Sequence, residues 1–211
     1  TAAVALENTI NFWGGRVVPL EAQRSIAATC RRRGVALHLD GSRIWNAAVA
    51  AGATERELAD GADSVNVCFS KGLGAPVGSA IAGSRAFVAE ARRARKLFGG
   101  GMRQAGVLAA AALVALDGRD RLSDDHALAR RLAQGLAAIP GVSLPYGCDT
   151  NIVIIVVPAG ARAADWVAAF RERGVLCAAY PGEEIRLVTH RDVGSKDVDR
   201  ALAAAEAIAR G

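Results

Sequence analysis

The sequence is poor in residues that crosslink, chelate or stack. Aromatics make up 5% of it, there are three histidines, and there is one methionine. The four cysteines, Cys30, Cys68, Cys148 and Cys177, include no CxxC pair and no metal-ligand spacing. That argues against a structural metal centre and fits reduced thiols in a cytoplasmic protein. Cys68 and Cys177 fall in apolar, strand-like runs, where buried thiols are common. No apolar stretch is long and uninterrupted enough to span a membrane, and nothing in the sequence reads as a signal peptide. An initiator methionine is also lacking, so Thr1-Ala2-Ala3-Val4 reads as the middle of a longer chain. Nucleic-acid-binding motifs are absent. The basic clusters Arg31-Arg32-Arg33 and Arg92-Arg93-Ala94-Arg95-Lys96 lie in helical-looking segments without interleaved aromatics. The first reads as a solvated helix face, and part of the second suits a small anion such as a phosphate equally well.

What is present suffices for a substantial core. The chain has 211 residues, 52% of them hydrophobic, with a mean hydropathy of +0.21. That is one large domain or two small ones. Much of the apolar content is alanine, which predicts closely packed helices. The net charge of +5 is a mild pointer to anionic partners.

Strands alternate with helices over most of the length. A helix over 20–33, ended by Gly34, precedes a buried strand over 35–40. Short helices follow at 43–51 and 55–60, then strands at 65–69 and 78–82. Ser84 is placed to cap a helix running to Leu97. The triplet Gly99-Gly100-Gly101 breaks the chain before a helix over 103–116. From about 119 the style changes. An amphipathic helix over 119–138 leads to a strand at 151–157, a helix at 163–173, strands near 175–179 and 184–189, and a closing helix at 195–209. This order predicts an α/β half-sheet over 1–118 and a small α+β domain over 119–211.

Two strand ends carry candidate chemistry. Asp40 closes an apolar strand and is followed by Gly41 and Arg43. In open α/β sheets ligands bind outside the carboxyl ends of the strands. Asp40 is therefore either a helix N-cap or a carboxylate aimed at a cationic ligand group, and Arg43 could bind a carboxylate in the same pocket. Lys71 ends the next strand in FSKGLGAPVGSA (69–80). A strand-end lysine is commonly an exposed cap. Here the strand reads as buried, the small-residue loop leaves room for a ligand, and no acidic residue lies nearby in sequence. A desolvated lysine of this kind can form a Schiff base. An Asp at one strand end and a Lys at its neighbour is the pairing pyridoxal 5′-phosphate requires: the carboxylate keeps the pyridine nitrogen protonated and the amine holds the aldehyde. Lys96 and Arg103, flanking the glycine triplet ahead of a helix, offer an anion site for its phosphate.

The stretches HLDGSRIWNAA (38–48), DSVNVCFSKGLGAPVGS (63–79), RKLFGGGMRQAGVLAAA (95–111) and EIRLVTH (184–190) resemble the low-specificity threonine aldolases. These are pyridoxal-phosphate enzymes of the aspartate-aminotransferase fold type. The match runs in order from ALENT (5–9) to the last helix. The resemblance implies the C-terminal part of a transferase-type large domain plus a small α+β domain. It implies Lys71 as the Schiff-base lysine and Asp40 as partner of the ring nitrogen. Arg43 and Arg186 would hold the substrate's α-carboxylate. Lys96 and Arg103 would reach a cofactor phosphate across subunits of a homo-oligomer, a dimer or tetramer. By its residues alone, Arg186 reads as a surface strand arginine paired to Glu183 or Glu184. His38 shares a strand face with Asp40, His126 reads as a solvated helix residue, and His190 as local structure.

Three features depart from the family. Its N-terminal portion, with a phosphate loop and a ring-stacking histidine, is not in this sequence. Ile10 stands where ENTHN has a histidine, and Ser42 replaces the usual alanine of DGAR. The reading is a truncated aldolase-type lyase that cleaves threonine or allo-threonine to glycine and an aldehyde. The alternatives are β-elimination or racemisation on the same scaffold, or a non-catalytic relative.

Overall fold

The computed structural model describes residues 1–210, which form two compact units: Thr1–Thr9 with Val18–Asp120, and Ile10–Val17 with the residues from Arg121 on. The first unit contains β1 (Ala3–Glu7), α1 (Leu20–Arg33), β2 (Ala36–Gly41), α2 (Ile44–Ala51), α3 (Glu55–Leu58), β3 (Ser64–Cys68), β4 (Ser79–Gly83), α4 (Arg85–Leu97) and α5 (Gly106–Asp117). Its sheet runs β1-β2-β3-β4, with the first three strands parallel and β4 antiparallel to β3.

Local chemistry sets these boundaries. Gly34, at φ +62°, turns its N–H onto the carbonyls of Arg31 and Cys30 and ends α1. Thr54 and Glu57 form a capping box on α3, and the Ser84 hydroxyl accepts from Phe87 N–H at the start of α4. Alternation along β2 buries Leu37 and Leu39, with Leu37 packed against Ala27 and Cys30 of α1. His38 and Asp40 therefore point to the opposite face. The register sets Asp40 between Glu7 of β1 and Asn66 of β3.

The second unit contains α6 (Leu122–Ala137), β5 (Ile152–Val156), α7 (Ala163–Glu172), β6 (Ala178–Tyr180), β7 (Glu184–Val188) and α8 (Ser195–Ala209), with an antiparallel sheet in the order β5-β7-β6. Its core joins the inner faces of α6, α7 and α8 to the sheet, with Phe170, Ile155, Ile185 and Leu136 fully enclosed. Residues Ile10–Val17 sit with this unit although they lie inside the first unit's sequence. Arg16 pairs with Asp149 at 3.1 Å and donates to the Tyr146 carbonyl, and Thr150 Oγ1 donates to the Gly15 carbonyl at 2.9 Å. No composition shift marks this excursion.

Some expectations shift. The helix expected from residue 103 begins at Gly106, and the strand expected at 175–179 is Ala178–Tyr180. His126 is 1% exposed rather than solvated. It falls on the α6 stripe formed by Leu122, Ala129 and Ala133, which the helical repeat turns inward. Burial, with a smaller contribution from Arg130, pushes its imidazole pKa down to about 4. Burial also pushes the thiols of Cys148 and Cys177 up to about 11. All four cysteines are free. No helix among the described residues is long and apolar enough to cross a membrane, and no cluster among them could hold a metal ion.

Candidate active site

Neighbouring strands β2 and β3 carry a polar group on one face of the sheet. Asp40 Oδ1 accepts three hydrogen bonds: from Ser42 N–H at 3.0 Å, the Ser42 hydroxyl at 2.7 Å and Asn66 Nδ2 at 3.0 Å. Asn66 Nδ2 also donates to Ser42 Oγ at 3.1 Å. His38 Nε2 lies 2.9 Å from Asn66 Oδ1, and its Nδ1 lies 2.8 Å from Ser64 Oγ. Partial burial works to raise the Asp40 pKa. The bonds from Ser42 and Asn66, together with the Lys71 charge, outweigh it and hold the carboxyl below the usual range.

Lys71 follows β3 in a loop that is tightly organised. Phe69 N–H donates to the Gly78 carbonyl, Ala75 N–H to Phe69, and Gly74 N–H to Lys71. Buried Leu73 and Ala75 anchor the loop, while Phe69 packs on Trp45 of α2 at 5.7 Å. Two expectations about this lysine are corrected. It is exposed, because β3 beyond Ser64 is only half-buried and β4 is exposed along its whole length. An acid is near it in space: parallel pairing of β2 with β3 brings Asp40 within reach of the Lys71 charge, a proximity that the sequence separation conceals.

Arg43, half-buried, is the residue from which α2 springs, three positions after Asp40. Lys96 lies in the last turn of α4, and Arg103 stands in the turn before α5 rather than on it. Both cations are exposed, and among the described residues neither side chain makes a hydrogen bond or ion pair, with Asp40 or any other group. The Lys96 side chain folds over Gly101, where an added Cβ would meet it at 3.0 Å.

In the second unit, Arg186 of β7 does not pair with Glu183 or Glu184. Glu183 accepts from Ala163 N–H, and Glu184 accepts from the Tyr146 hydroxyl. Arg186 Nη2 donates to Asn11 Oδ1 at 3.3 Å, its guanidinium lies 6.0 Å from the Tyr180 ring centroid, and its Nε is buried without a partner. The guanidinium as a whole is half-buried, and its unpaired Nε–H is covered rather than exposed. His190 is exposed and accepts from Asp192 N–H, a local turn.

Sequence reasoning passed over Ser64, Asn66 and Asn11. A signal for the first two existed: Ser64 and Asn66 are polar residues at i and i+2 in an apolar strand, which puts them on one face, beside His38 and Asp40 at the same spacing on β2. Asn11 had none, because its partner lies 175 positions away.

A low-specificity L-threonine aldolase of Arabidopsis thaliana is 41% identical over 206 residues, 96% of this chain and 58% of the relative, so the chain spans well under two thirds of that protein's length. Among solved structures, the threonine aldolase of Leishmania major superposes with a TM-score of 0.79 at 19% identity, covering 98% of this chain and 61% of that one. A structure of SPT with PLP superposes with a TM-score of 0.72 at 22% identity, covering 99% and 55%. At these identities the structural likeness establishes the fold alone, a mixed α/β architecture. The sequence pattern described as beta-eliminating lyase matches residues 1–159, three quarters of the sequence, and the chain belongs to that family.

Proposed function

We propose that the protein uses pyridoxal 5′-phosphate to cleave threonine and allo-threonine between Cα and Cβ, giving glycine and an aldehyde. The observation that carries this reading is the placement of Asp40 at the end of β2 and Lys71 just past the neighbouring parallel strand β3, near enough for the Lys71 charge to act on the Asp40 carboxylate. The residues fit the group. Asp40 Oδ2 accepts no hydrogen bond from the described residues, which leaves it open to a ring N–H. Lys71 is an exposed amine without a hydrogen-bond partner among them, in a loop of small residues. Bound there, the cofactor supplies an electron sink for the carbanion that Cα–Cβ cleavage leaves.

The chain's own residues divide the remaining work. Asp40 holds a proton on the facing nitrogen by staying ionised. Lys71 supplies the amine that anchors the aldehyde. Arg43 and Arg186 bind the substrate carboxylate; in support, the Nε–H of Arg186 has no partner within the protein. Lys96 and Arg103 serve the phosphate of a neighbouring subunit in a cytoplasmic homo-oligomer. Support for that role is their exposure, unpaired, beside the exposed apolar side chains of Leu97, Phe98 and Met102. The family's description favours a second reading, β-elimination, on the same residues.

The test is a product assay on the cofactor-supplemented protein with threonine, allo-threonine and serine. Acetaldehyde and glycine from the first two support aldol cleavage. Ammonia and 2-oxo acid without aldehyde would move the assignment to β-elimination.

A further inference from the structure

The bonds around Asp40 are asymmetric. All three donors converge on Oδ1, and Oδ2 receives none from the described residues. They also have a direction. Asn66 Nδ2 faces two acceptors, Asp40 Oδ1 and Ser42 Oγ, so its amide oxygen must face His38. That oxygen only accepts, so in the neutral ring His38 carries its proton on Nε2 and its Nδ1 accepts from the Ser64 hydroxyl. Ser42 Oγ accepts from Asn66 and spends its single proton on Asp40. Donors therefore run Ser64 to His38 to Asn66 to Asp40, with Ser42 closing a triangle.

We propose that Ser42, Asn66 and His38 are positioning residues that lock the rotation of the Asp40 carboxylate, saturating Oδ1 and presenting Oδ2 alone to a protonated heteroaromatic nitrogen; this rests on the cofactor reading above. A carboxylate held on one oxygen by three donors has lost its freedom to rotate before any ligand arrives. The ligand's N–H then meets an oriented lone pair without ordering cost. Bonds in a chain polarise one another, so loss of His38 is felt at Asp40 through the Asn66 amide. Ser42 gives this chain one donor more than an alanine at the same place provides. Asn66 bridges Asp40 to Ser42 on one side and to His38 on the other, which no shorter residue at that position of β3 could do.

The experiment uses the cofactor-bound protein and pyridoxal phosphate labelled with ¹⁵N in its ring. The wild type is expected to show the ¹⁵N shift of a protonated ring. Ser42→Ala and Asn66→Ala should each weaken cofactor binding by about tenfold, the worth of one hydrogen bond to a charged group, and move the ring signal toward the unprotonated position. His38→Ala should do the same to a smaller degree. Ser42→Thr, which keeps the hydroxyl, and His38→Gln, which keeps a donor toward Asn66, should restore both readouts. If the wild type takes up no cofactor at all, the reading of the site falls and this inference with it. If the wild type binds normally but the alanine variants keep its affinity and ring signal, the locking role is wrong while the cofactor reading stands.

Discussion

Arg186 Nη2 donates to Asn11 Oδ1 at 3.3 Å across 175 positions of sequence, while Arg186 Nε is buried with no partner. The Nη2 end of the guanidinium is thus fixed, and its Nε–H lacks a partner within the protein. Arg186→Lys should raise KM for threonine by about 10- to 100-fold, because an ammonium cannot reproduce the fork. Asn11→Ala should raise it less, since only the orientation of the arginine is loosened. Steady-state kinetics on both variants decides this, and an unchanged KM in Arg186→Lys would return Arg186 to a structural role.

Lys71 is the strand-end lysine whose charge acts on Asp40. In Lys71→Ala, borohydride reduction followed by peptide mass spectrometry should find no cofactor fixed to any lysine. A reduced adduct on Lys96 or Lys196 would show that the anchoring amine lies elsewhere.

Asp40 holds its charge below the usual carboxylate range because its hydrogen bonds and Lys71 outweigh partial burial. Asp40→Ala should lower kcat by at least about 100-fold, since a ring nitrogen without a facing carboxylate is a poor electron sink. The thermal transition should stay cooperative, because Asp40 is only half-buried and Leu37 and Leu39 hold β2 in place. Near-normal turnover would leave Asp40 with local bonding alone.

His126 titrates near 6.5 when unfolded and near 4 when folded, because burial disfavours its charged form. The unfolded state therefore binds the proton first as pH falls. Stability is undiminished by this group above about 6.5 and declines down to about 4, by up to about 3 kcal/mol. Denaturant unfolding across that range should give a shallower pH dependence for His126→Gln than for wild type. Parallel curves would rule out this contribution.

Gly15 has φ +70°, and a Cβ there would collide with Thr150 Oγ1, the hydroxyl that binds the Gly15 carbonyl. Gly15→Ala should destabilise the second unit by roughly 2–4 kcal/mol, combining left-handed strain with the clash. Calorimetry on the variant tests this, and a melting temperature within a degree of wild type would contradict it.

Local chemistry made much of this protein legible in its sequence. Gly34 and Ser84 bound their helices through bonds to residues within four positions, and period-2 alternation in β2 set His38 and Asp40 on one face. Asp40 and Lys71 could be named because each ends its own apolar run, which needs no knowledge of the other. What tertiary structure alone decided is which distant groups meet. Parallel pairing of β2 with β3 put Asp40 beside Asn66 and within reach of Lys71, giving the lysine the acidic neighbour its own loop lacks. Packing of α6 closed over His126, though its polarity suggested solvent. Residues Ile10–Val17 left the first unit for bonds with Tyr146, Asp149 and Thr150, and so placed Asn11 against Arg186. Short-range bonds are written in neighbouring letters. Pairings across tens of residues follow from which strands lie side by side, and that depends on the whole chain finding its most complete burial.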